Sequence, residues 1–121
     1  MNAVLAPFIV EGLLIIVAAI FGFLTGKQGK PYGKVKLVLH LFFFAWFTLG
    51  MVFILRGTLN ELTLVSIPFF VMVACLLVQL FVGIRMLISK EVGKRLPAIH
   101  KIAAAGLFLA DACALIITAI R

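Results

Sequence analysis

Four long apolar runs constrain this chain more than any other feature. They cover roughly residues 3–25, 35–55, 62–88 and 97–120. Each exceeds the ~20 residues that carry a helix across ~30 Å of hydrocarbon. Water is absent there, so every backbone N–H and C=O must be satisfied within its own segment, and the segments fold as helices. The three breaks between them are short, which sets consecutive helices antiparallel. The expected fold is all-α and integral to a membrane: one four-transmembrane-helix bundle over residues 1–121, up-down-up-down. Charged residues make up only 12% of the chain and hydrophobic ones 65%, against about 25% charged in soluble domains. The first run has no basic stretch before it and is too long for the apolar part of a cleaved leader, so it is read as a helix.

The breaks carry turn and cap chemistry. Gly26-Lys27-Gln28-Gly29-Lys30-Pro31-Tyr32-Gly33 is a Gly- and Pro-rich turn. Thr58-Leu59-Asn60-Glu61 has the spacing of a capping box and is expected to open the third helix. Gly93 lies in the third break, Pro97 suits the first turn of the fourth helix, and Pro68 predicts a mild kink early in the third.

The net charge of +7 does not signal nucleic-acid binding, because the cations are confined to loop regions. Lys27, Lys30, Lys34 and Lys36 flank the first break, and Arg85, Lys90, Lys94, Arg95 and Lys101 flank the third. The second break has only Arg56 and the C-terminus only Arg121. The positive-inside rule then puts loops 26–34 and 89–96 in the cytoplasm and both termini outside, as in a bacterial inner membrane. Cys75 and Cys113 fall in mid-helix and read as small buried hydrophobes.

The two histidines are the candidate chemistry. His40 lies four residues after Lys36, and His100 five after Arg95. Their helices run parallel, so at ~1.5 Å per residue the imidazoles lie at nearly equal depth. Helices two and four can sit diagonally in a bundle and grip a flat cofactor between two axial nitrogens. Neutral imidazole is a standard haem ligand, and an imidazole in lipid is otherwise costly. Ala103, Ala104 and Leu107 share the face of His100, and two alanines leave room for a porphyrin. Phe43, Phe44 and Phe47 share the face of His40 and would wall it, while Gly22 lies at the same depth and can admit its edge. Anionic propionates would point to the inner surface, toward Lys36, Arg85, Arg95 and Lys101. Arg85 and Arg95 lead because arginine binds carboxylate bidentately.

This pattern, carried by His40 and His100, resembles the four-helix membrane b-type cytochromes, a group that includes cytochrome b561-like proteins and the haem-bearing anchor subunits of respiratory complexes. Many of those hold two haems on four histidines; this chain has histidines for one. The resemblance implies one haem b and single-electron transfer, as an electron-transfer protein or a subunit of a respiratory oxidoreductase. One haem near the inner surface must exchange electrons with something close: a quinone, a redox partner protein, or haems in a neighbouring subunit. The small size suits a homo-oligomer or a subunit of a larger complex. With no C-x-x-C-H motif, c-type attachment is excluded. No catalytic nucleophile constellation, phosphate loop or cysteine metal motif is present, so any redox chemistry falls to the haem.

Two further polar residues are expensive in lipid. Glu11 lies in the outer half of helix one. Asp111 follows His100 by eleven residues, close to a whole number of turns, so it faces the same way roughly 16 Å further out. They are read as an interhelical pair, a pairing with Arg56, or a proton or quinone site. Gln79 lies nearer the histidine level and is a polar contact for a helix, a haem or a quinone. Four helices with an acid in the first are also similar to the small multidrug resistance transporters, in which Glu11 would match the proton-exchanging position. A third reading is a cofactor-free assembly subunit of a membrane complex.

Overall fold

The glycines and prolines of the breaks end and start helices in the computed structural model, which describes residues 5–60, 66–90 and 93–120. The first helix, α1 (Leu5–Gln28), stops where Gly29 takes φ +73° and its N–H bonds back to the Gly26 carbonyl. Only glycine adopts that left-handed backbone without a Cβ penalty. The Gly33 carbonyl accepts from Leu37 N–H and opens α2 (Lys34–Asn60). Then α3 spans Ser66–Ile88, and α4 spans Arg95–Ile120 with Lys94 accepting from Ala98 N–H at its start. All four helices are long and apolar enough to cross a membrane, and the protein is an integral membrane protein.

α4 starts at Arg95, two residues before Pro97, and two helices end later than expected. α1 continues three residues past Thr25, since Gly26 and Lys27 do not end it and Gly29 does. α2 runs on through Arg56 and Gly57 to Asn60, so Thr58–Asn60 ends the second helix instead of opening the third. Glu61 lies outside the described residues, as do Leu62–Val65 at the expected start of helix three. Pro68 sits in the first turn of α3 as described.

Pairs of close approach fix the directions. Gly22 meets His40 and Gly50 meets Glu11, so α1 and α2 are antiparallel. Gly83 meets His100 and Gly106 meets Cys75, so α3 and α4 are antiparallel as well. Gly12 meets Asp111 while Gly22 lies at the histidine level, which makes α1 and α4 antiparallel. The order around the bundle is therefore α1-α2-α3-α4, with α2 diagonal to α4. The packing is uneven: α1–α2 and α3–α4 are tight hairpins joined through α1 and α4, while α2 and α3 barely touch.

The shared core is a narrow column that includes Phe8, Phe47, Met51, Phe69, Met72, Leu107 and Ala114. The outward faces are equally apolar, with Phe23, Phe53, Phe81 and Ile102 largely exposed. Such a surface is stable against lipid tails and not against water. Cys113 is exposed on this outer face and Cys75 is half-buried, so neither is the fully buried hydrophobe expected. Both are free thiols.

Candidate functional site

The loose α2–α3 seam leaves room inside. A cavity of about 1010 Å³ occupies the half of the bundle nearest the first and third connections, at the upper end of the range for small-molecule sites. His40 and His100 both line it, from diagonal helices. Their ring centroids are 6.3 Å apart, with the planes at 67°. Two imidazoles on opposite sides of one metal ion, with metal–nitrogen bonds of about 2.0–2.1 Å and about 1.1 Å from nitrogen to ring centre, have centroids about 6.3 Å apart. The separation is one that a metal ion held between the two rings would require.

His40 is held in place by α1. Its Nδ1 lies 2.7 Å from the Ala18 carbonyl oxygen. A carbonyl only accepts, so Nδ1 carries the proton and Nε2 is left as the free lone pair. A carbonyl partner on Nδ1 is the usual way a protein fixes a ligand imidazole. The absence of a side chain at Gly22 is what lets the ring lie there: a Cβ at that position would stand 2.7 Å from His40 Cε1 and 2.9 Å from Nδ1. Gly22 also lines the cavity, at the level of His40 as the sequence suggested. His100 rests against Gly83 of α3, and its Nδ1 is buried without a hydrogen-bond partner.

The other predicted residues divide into those the cavity gathers and those it does not. Phe44, Phe47, Ala104, Leu107 and Gln79 all line it. Ala103 is buried but is not part of the lining. Arg85 and Arg95 are exposed and do not line it. The cations that do are Lys27, Lys30, Lys90 and Lys101, joined by Tyr32. Lys30 reaches from the first connection to donate to the carbonyls of Leu87 and Ser89 at the end of α3, tying that connection to the third. The cavity is thus apolar and aromatic at depth and cationic at its mouth.

Sequence reasoning also missed the α1 wall: Ile15, Ala18, Ala19 and Gly26 line the cavity beside Gly22. Ala18, Gly22 and Gly26 recur every four residues, and a small-residue stripe of that period signals close approach to a neighbouring helix.

Glu11 and Asp111 are each only 2% exposed and lie away from the cavity, near enough to each other to interact electrostatically. Asp111 Oδ2 presses against Gly12 of α1, and the Glu11 carboxylate crosses to Gly50 of α2. Glu11 Oε2 and Asp111 Oδ1 have no hydrogen-bond partner, and Arg56 is exposed. Two unbalanced charges are costly in such surroundings. Among the described residues, no group of three or more His, Cys, Asp or Glu side chains gathers around a common metal position. A metal held here would rest on the two imidazoles and on the ligand it arrives with.

Compared with protein families, curated proteins and solved structures, the chain matches none.

Proposed function

We propose that the protein is a membrane cytochrome b that binds one haem b between His40 and His100 and carries single electrons. The observation that supports this most strongly is the histidine pair: two imidazoles on diagonal helices, 6.3 Å between centroids, facing one large cavity. The fit extends to the lining. Phe44, Phe47, Ile15 and Leu107 suit an apolar macrocycle, and Lys27, Lys30, Lys90 and Lys101 suit its two carboxylates at the mouth. Ala18 and Ala104 keep the walls thin between the histidines and the helix backbones.

Bound haem supplies a one-electron couple. The chain's contribution is positional and electrostatic. The Ala18 carbonyl fixes the His40 tautomer, the two imidazoles would hold the iron, and the aromatic walls would exclude water. Four lysines stabilise negative charge at the mouth and offer a basic face to an electron partner. Under the positive-inside rule that face is cytoplasmic, in a bacterial inner membrane, with both termini outside. A quinone at the loose α2–α3 seam, or a redox subunit against the basic face, is the exchange partner. The proton-exchanging transporter has less support, because Glu11 is sealed between α1 and α2 and does not line the cavity.

Haem titrated into the detergent-solubilised protein tests the proposal. One equivalent per chain should give a six-coordinate low-spin spectrum that a quinol reduces. A protein that stays colourless with haem in excess overturns it.

A further inference from the structure

Two residues that line the cavity, His100 and Gln79, each carry a buried polar atom without a hydrogen-bond partner: Nδ1 and Oε1 respectively. Gln79 is only 7% exposed. An unmade hydrogen bond is expensive where no water substitutes. One atom is a donor when Nε2 binds a metal, and the other is an acceptor.

The helices put the two residues on facing elements, about one turn apart in level. His100 packs against Gly83, whose Cβ position is 3.6 Å from His100 Cε1. Gln79 lies four residues earlier on α3, on the same face and about one turn away, about 6 Å along the axis. Cys75, a further turn along that face, meets Gly106 of α4, so the whole stripe is turned toward α4. The Cys75–Gly106 and Gly83–His100 contacts bracket Gln79 at about the level of Ala103, within one turn of His100 on α4, and rotation about its side-chain torsions re-aims the oxygen. On the opposite wall, His40 already has its Nδ1 acceptor in Ala18.

We propose that Gln79 is the positioning residue for His100. Its side-chain oxygen accepts the Nδ1–H of His100 and turns Nε2 into the cavity, as the Ala18 carbonyl does for His40. This rests on the haem reading above. The two ligands are then oriented by different acceptors, a rigid backbone carbonyl and a side chain that substitution can change. The strength of the second bond tunes how much electron density His100 gives the metal, and hence the redox potential.

The test compares Gln79→Leu and Gln79→Glu with the haem-loaded wild type, measuring haem affinity, midpoint potential and the electron paramagnetic resonance of the oxidised form. Circular dichroism checks the helices. Gln79→Leu should weaken haem binding about 10–100-fold, raise the potential and alter the low-spin g values. Gln79→Glu, a stronger acceptor of similar reach, should keep the affinity and lower the potential. Wild-type potential and g values in both variants overturn the inference, including where only thermal stability has changed. A wild type that binds no haem overturns the parent reading instead, so the two failures are told apart.

Discussion

Gly22→Ala is the smallest change that should disable one ligand while leaving the fold intact. The added methyl carbon would stand 2.7 Å from His40 Cε1 and 2.9 Å from Nδ1. Comfortable carbon contacts begin near 3.5 Å, so the ring must retreat by about 0.8 Å. His40 Nδ1 is 2.7 Å from the Ala18 oxygen, and a retreat of that size carries the bond to the edge of hydrogen-bonding range, about 3.5 Å. The bond itself contributes about 0.5–1.5 kcal/mol, and loss of a partner that orients a metal ligand costs about 10–100-fold in affinity. The control is Gly57→Ala on α2, where an added Cβ has no neighbour within 4 Å. Haem titration of both variants in detergent, followed at the Soret band, should show affinity falling about 10–100-fold for Gly22→Ala and unchanged for Gly57→Ala. Equal, wild-type affinity in the two would refute the claim that His40 is held in a slot made by Gly22.

Other substitutions probe the rest of the bundle. At Gly50 a methyl would collide with the Glu11 carboxylate, so Gly50→Ala should lower stability by about 1–3 kcal/mol. Adding Glu11→Ala should restore most of it, as read by thermal unfolding in detergent; independent, additive effects would show that the contact does not carry the packing. Ala104→Phe fills cavity space between His100 and Leu107. It should abolish haem uptake while circular dichroism stays helical, and retained uptake would place the cofactor elsewhere. Lys101→Glu puts an anion at the mouth, and should weaken haem binding in a salt-dependent way if the lysines meet the propionates.

The bundle was legible because its causes are local. Apolar length, short breaks and clustered cations each follow from the sequence, and together they predict four antiparallel helices with His40 and His100 at one depth. The misses come from tertiary geometry. Arg56 and Gly57 resemble a break, yet α2 continues to Asn60, because a single charge and a glycine weaken a helix without ending it. Arg85 and Arg95 were favoured for their chemistry, but they lie outside the cavity lining, whose cations are Lys27 and Lys101 on helices and Lys30 and Lys90 in the connections. Gly22 was read as space for a cofactor edge, and it lines the cavity, but its contact with the His40 imidazole on the next helix was not foreseen. The Ala18 carbonyl could not be found from composition at all, since any residue carries one. The role of Glu11 and Asp111 in locking helices through Gly50 and Gly12 depends on interhelical register, which the sequence does not state.

Absorbance of the purified, haem-supplied protein, oxidised and then dithionite-reduced, tests the central claim most directly when repeated for His40→Ala and His100→Ala. The account predicts a low-spin haem b spectrum in the wild type, lost in each variant. A wild-type spectrum that survives either substitution, or a wild type with no haem spectrum, would contradict it.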